Sequence, residues 1–206
     1  MSSAPLVPDR GAPRSRRVEI AHLETRRTGW TGHLATPLGF LEFETGREAV
    51  HQLKFLEPGD EPVAASAIRG PVPTLVRRLG RELEEYFRGT RQHFSIPIRP
   101  EGTSFQLRVW RTLQRIPWGT SLTYAELARR NDQPAAVRAS ARAAARNPIH
   151  ILIPCHRVIT SRGAAGGYAG GTWRKIHLLT IEGAPGGVAP GRTGPRPALA
   201  GSGVTA

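Results

Sequence analysis

A chain of 206 residues suffices for one compact body or two small ones, and its charge is lopsided: Lys plus Arg is 29 against 16 Asp plus Glu, a formal +13. Most of the cations are arginines, whose planar fork suits phosphate, so the surplus argues for an anionic partner; a composition rich in Arg, Ala, Gly and Pro raises the charge on its own as well. The single cysteine excludes an intramolecular disulfide and a cysteine-based zinc site, and no run approaches the roughly 20 apolar residues of a membrane-spanning helix.

Residues 1–16 read as a disordered basic arm, broken by Pro5, Pro8, Gly11 and Pro13 and charged by Arg14 and Arg16. They hold no apolar core of the length a signal peptide needs, so the expected location is the cytoplasm, where a free thiol stays reduced. Trp30 to Leu56 alternates like sheet, and the breaks at Thr36-Pro37 and Thr45-Gly46-Arg47 predict two or three antiparallel strands. Glu57 to Pro73 reads as a loop. Thr74 to Tyr86 has helical spacing, with Leu75, Leu79, Leu83 and Phe87 on one face, and Gly89 ends it. His93 to Ile98 is predicted as a short strand. His22, His33, His51 and His93 match no metal-site spacing, so no metal is expected.

From Thr103 the pattern is helical. Thr103 with Gln106 and Thr123 with Glu126 form two capping boxes. Phe105, Val109 and Leu113 make an apolar stripe, which Ile116-Pro117-Trp118-Gly119 stops. After a turn at Asn131-Asp132-Gln133, Pro134 fits a first helical position, and the next helix runs to about Arg146. Arg138, Arg142 and Arg146 recur every fourth residue, with Ala139, Ala141, Ala143, Ala144 and Ala145 between them. Two short helices about a tight turn, the second basic, predict a helix-turn-helix. Thr172 to Ile181 is a last helix, with Trp173, Ile176, Leu178 and Leu179 partly buried, and 184–206 is a disordered tail. The fold class is α+β. A small N-terminal domain of antiparallel sheet plus helix (17–100) precedes a mostly helical C-terminal domain (101–183), which carries the helix-turn-helix and a cysteine loop.

That loop is the chemical centre. Pro154-Cys155-His156-Arg157-Val158 holds the only cysteine, between the apolar run Ile149 to Ile153 and the glycine-rich stretch Gly163 to Gly171. A thiolate is a soft nucleophile, and a neighbouring histidine or cation eases its formation. Taken alone, one Cys beside an apolar run also fits an inert buried filler.

The stretch from Asn147-Pro148 through Pro154-Cys155-His156-Arg157-Val158, with Gly166-Gly167-Tyr168-Ala169-Gly170-Gly171 and Ile181-Glu182-Gly183, resembles the active-site segment of the O6-alkylguanine-DNA alkyltransferases, also called methylated-DNA–protein-cysteine methyltransferases. The resemblance implies direct-reversal repair: one irreversible transfer per molecule of an alkyl group from O6-alkylguanine to Cys155, with O4-alkylthymine as a second candidate substrate. It implies a Cys155–His156–Glu182 relay, His156 taking the proton through a water. Tyr124 is matched to the residue that helps rotate the target nucleotide and donates toward the base. Arg138 is matched to the side chain that intercalates from the recognition helix, with Ala139 and Arg142 beside it on the DNA. Asn147 is matched to a hinge asparagine, and Val158, Tyr168 and Ala169 to the pocket wall. The implied partner is duplex DNA bound through its minor groove by a monomer, without cofactor. Some members hold a structural zinc partly by cysteines that this chain lacks. His150 stands where some members have another Pro, and Gln133 where an Asn often caps the recognition helix.

Three other readings are separable by chemistry. A lesion sensor has no need of the nucleophile, a helix-turn-helix regulator has no use for the relay, and a thiol hydrolase needs an oxyanion hole and turns over repeatedly.

Overall fold

The computed structural model describes residues 17–57, 59–60, 62 and 71–187. The expected N-terminal arm, the tail from 188 onward and most of the 57–73 loop lie outside the described residues.

Four strands, β1 (Glu19–Arg26), β2 (Gly29–Thr36), β3 (Gly39–Gly46) and β4 (Val50–Phe55), form an antiparallel meander in the order β1-β2-β3-β4. The alternation places Leu34, Leu41, Phe43, Val50, Leu53 and Phe55 in the core. The strands expected over Trp30 to Leu56 are β2, β3 and β4; β1, before them, was not expected, because its residues are half-buried or exposed and show little alternation. At the β2–β3 turn, Thr36 Oγ1 donates to the Gly39 carbonyl at 2.6 Å and accepts from Leu38 N–H at 3.2 Å.

Helix α1 (Thr74–Phe87) buries Val76, Leu79, Leu83, Tyr86 and Phe87. The face is rotated from the expected one: Leu75 is only half-buried, while Val76 and Tyr86 take core positions. The expected strand from His93 to Ile98 is absent, reduced to one bridge between Ile98 and Val50. Buried Glu82 is the cause, because its carboxylate accepts from the backbone N–H groups of Ser95 and Ile96 that a ladder would have used.

Both capping boxes form, Thr103 with Gln106 opening α2 (Ser104–Gln114), and Thr123 with Glu126 opening α3 (Tyr124–Arg130). Between them, β5 (Leu122–Thr123) immediately precedes α3. Helix α4 (Val137–Ala145) starts three residues later than expected. Pro134 sits outside it, in a turn closed by Ala136 N–H to the Gln133 carbonyl at 2.9 Å, a position its fixed φ also suits. Gln133 is therefore a turn residue, and Ala136 occupies the cap without a side-chain bond. Trp110 Nε1 donates to the Ala143 carbonyl at 2.8 Å, pinning α4 to α2.

Strand β6 (Val158–Ile159) pairs in parallel with β5, and α5 (Thr172–Glu182) ends at Gly183 in the left-handed conformation that glycine tolerates. In α5 Leu178 and Leu179 are buried as expected, but Trp173 is not. Trp173 is 44% exposed, whereas Arg174 and Lys175 are buried. Arg174 donates to the carbonyls of Leu38, Leu56 and Gly170, tying the sheet to α5. One apolar cluster runs from Leu34 in the sheet through Leu113 and Leu127 to Leu178.

Candidate active site

Backbone bonding to β4 shapes the segment before Cys155. Leu53 N–H donates to the Pro148 carbonyl, and His150 N–H returns to the Leu53 carbonyl at 2.6 Å. Ile149 to Ile153 then folds as a tight buried turn, with Ile151 at φ 70°, a conformation that costs a β-branched residue about 1–3 kcal/mol. Pro154 follows, and Cys155–Arg157 make a single turn of 3-10 helix that feeds β6. Since β6 pairs with β5, and β5 opens α3, Tyr124 is set beside Cys155.

A cavity of about 290 Å³ is lined by Tyr124, Ala144, Ala145, Cys155, Gly167, Tyr168 and Ala169. The structure thus brings Cys155, Tyr124, Tyr168 and Ala169 together around one space. Gly170 must be glycine here, because a Cβ would stand 2.8 Å from the rings of both Phe55 and Tyr168. Val158 does not line the cavity; it is buried behind it, and its carbonyl accepts from Lys175 Nζ at 2.5 Å. Arg138 and Arg142 are exposed on the outer face of α4, away from the cavity lining, with Ala139 half-buried between them.

Asn147 joins the end of α4 to the thiol. Its Nδ2 donates to the Ile153 carbonyl at 2.8 Å and to Cys155 Sγ at 3.0 Å, and its Oδ1 accepts from Ile149 N–H at 2.9 Å.

Behind the thiol lies a buried charge network. Glu182 Oε1 stands 2.8 Å from His156 Nε2, and Arg157 grips the same carboxylate through Nε at 2.7 Å and Nη2 at 3.0 Å. Arg157 Nη1 also donates to the Ile116 carbonyl. Burial by itself would raise the Glu182 pKa; the bonds from His156 and Arg157 overcome it and hold the carboxyl at about 2. An ionised acceptor at that distance fixes the proton of neutral His156 on Nε2 and leaves Nδ1 as the free base. Nδ1 is buried and has no hydrogen-bond partner among the described residues. Burial pulls the His156 pKa down against the attraction of Glu182, so the ring is neutral near pH 7.

Burial also pushes the Cys155 thiol up to about 11, with the Asn147 bond and the Lys175 charge acting the other way. Lys175 is itself lowered to about 8 by burial, opposed by its attraction to Cys155. The resting site therefore holds a thiol, with a donor and a cation ready for a thiolate. Tyr124 is held above its usual range by burial and by Cys155, which keeps its phenol a proton donor.

Sequence reading missed Lys175, Arg157 as a carboxylate clamp, and Tyr86, whose hydroxyl reaches Glu182. Lys175 stands between Arg174 and Ile176, and no local pattern marked it.

Residues 104–184 match the family model described as the DNA binding domain of 6-O-methylguanine DNA methyltransferase. Over 149 residues, 72% of this chain and 94% of the relative, the sequence is 39% identical to the methylated-DNA–protein-cysteine methyltransferase of Methanosarcina barkeri. Over 103 residues, 50% of this chain and 62% of the relative, it is 48% identical to the constitutive methylated-DNA–protein-cysteine methyltransferase of Bacillus subtilis. The crystal structure of Mycobacterium tuberculosis OGT in complex with DNA matches with a TM-score of 0.63 at 33% identity, covering 80% of this chain and 94% of that one.

Proposed function

The chain belongs to the methylated-DNA–protein-cysteine methyltransferase family, and on that premise we propose that Cys155 is the residue that takes the alkyl group from O6-alkylguanine in DNA. The observation that carries this reading is the cavity over Cys155, with the ionised Glu182 and neutral His156 paired behind it. O4-alkylthymine is the second substrate to test.

The target atom is stacked inside a duplex, so the nucleotide must rotate out, at a cost of a few kcal/mol. The exposed arginines and small residues of α4 support its reading as the recognition helix of a helix-turn-helix that enters the minor groove. Arg138 fills the gap in the stack, Arg142 contacts phosphate, and Ala139 lets the helix approach closely. Tyr124 turns the nucleotide and donates to the departing base, while Tyr168 and the Ala169 backbone wall the pocket. Val158 contributes from behind this wall.

Sγ attacks the alkyl carbon in line. The S–C bond forms as the C–O6 bond breaks, and the electron pair leaves with guanine; Tyr124 passes the base a proton and recovers one from solvent, to which His156 later releases the thiol proton. The thiol proton passes through one water to Nδ1 of His156, and Glu182 stabilises the resulting imidazolium. Asn147 and Lys175 stabilise the sulfur while it is negative. A thioether is a poor substrate for hydrolysis and nothing in the site removes it, so each molecule acts once. The same reading expects a monomer acting in the reducing cytoplasm, where the free thiol persists.

A duplex with a single O6-methylguanine tests this. Guanine should be restored in proportion to protein added, and Cys155→Ser should bind the lesion without repairing it. Repair by that variant, or repeated turnover by the native protein, overturns the reading.

A further inference from the structure

Helix α1 sends one side chain into the relay. Tyr86 is fully buried, its hydroxyl donates to Glu182 Oε1 at 2.8 Å, and it stands 3.5 Å from His156 Nε2. Oε1 therefore gathers three donors: the phenol, the imidazole and Arg157 Nη2. Charge drawn by one donor is withheld from the others, so the hold of Glu182 on His156 depends on Tyr86. The ring itself is fixed by edge contacts with Phe87 and Trp118 and a tilted contact with Phe94. Burial and the Glu182 charge keep its pKa well above the usual phenol range, so it donates at every working pH.

We propose that Tyr86 is a positioning residue of the proton relay: it holds Glu182 so that His156 keeps the tautomer with a free Nδ1, and it limits the negative charge that the carboxylate lends to the imidazole. The N-terminal part of the chain thereby acts in alkyl transfer. The proposal rests on the reading of His156 as the base. The other groups acting on His156 are Arg157 on its own turn, Glu182 and Lys175 from α5, and His150 from the preceding loop.

The test is the pH profile of single-turnover transfer to an O6-methylguanine duplex. Its acid limb reports protonation of the base. In Tyr86→Phe the ring contacts stay and the donor goes. Glu182 then favours imidazolium more strongly, so the limb moves up by about half a pH unit, and the plateau rate falls about tenfold through lost orientation. Difluorotyrosine at position 86, a stronger donor in the same geometry, moves the limb the other way, and it decides the matter alone if the Phe variant does not fold. A rate loss without displacement of the limb in either variant overturns the proposal, since a merely structural tyrosine predicts that result. His156→Gln separates the two readings. If that variant loses the limb while the Tyr86 variants leave it unmoved, only the role of Tyr86 fails. If the limb persists without His156, the base is another group and both fail.

Discussion

Replacing Asn147 with alanine tests how closely stability and chemistry are joined at this site. The side chain is 2% exposed and makes three hydrogen bonds. Its loss does not orphan the Ile153 carbonyl, which still accepts from Cys155 N–H at 2.8 Å. Ile149 N–H, by contrast, has no other partner among the bonds described and is buried. An unpaired buried N–H costs about 1–3 kcal/mol, and one further bond about 0.5–1.5, so unfolding free energy should fall by about 3 kcal/mol. Separately, the thiolate loses a charge-assisted donor worth about 1.5–3 kcal/mol, which slows transfer roughly 10- to 100-fold. Urea denaturation reads the first effect, and single-turnover transfer to an O6-methylguanine duplex below the unfolding range reads the second. A destabilisation under about 0.5 kcal/mol, together with a rate within about twofold, would refute the assigned bonding.

Three further outcomes are expected. Phe55 N–H donates to His150 Nδ1, and burial, with Lys54 adding to it, lowers the His150 pKa from its ordinary 6.5 to about 4. The unfolded chain thus binds a proton that the folded one refuses, so this contribution is complete above pH 6.5 and lost as pH falls toward 4. By pH 5 the loss is about 2 kcal/mol, and His150→Gln should flatten the slope of stability against pH between 7 and 5; equal slopes contradict the assignment. Gly170→Ala forces a methyl against Phe55 and Tyr168, which should lower stability by about 2 kcal/mol and slow transfer, read by thermal melting and the same rate assay. If Arg142 contacts phosphate, Arg142→Ala should reduce the slope of log affinity against log salt by about 0.9, whatever the base sequence; an unchanged slope removes it from the interface.

Where a contact is local in sequence, the elements that carry the site were legible. Thr103 with Gln106 and Thr123 with Glu126 announce their helices because a capping box is a contact between residues three apart. Cys155, His156 and Glu182 were singled out by the resemblance of their motifs, since one Cys beside one His also fits an inert filler. What sequence did not disclose depends on partners far along the chain. Tyr86 and Glu182 are separated by 96 residues, and Arg174 and Leu38 by 136. Tyr86 falls outside the apolar face expected for α1, and nothing local marks Arg174 or Lys175 as buried. Their burial follows from carbonyls supplied by Leu38, Leu56 and Val158, which no local pattern announces. The missing strand at His93 to Ile98 has the same origin, since the backbone donors of Ser95 and Ile96 go to Glu82.

The most direct measurement is mass. The protein is mixed with an excess of duplex carrying one O6-methylguanine, and intact and peptide masses are recorded over time. The account predicts a gain of one methyl, on the peptide containing Cys155, saturating at one per protein and absent in Cys155→Ala. A methyl on any other residue, recovery of the free thiol, or tight lesion binding with no gain in mass would contradict it.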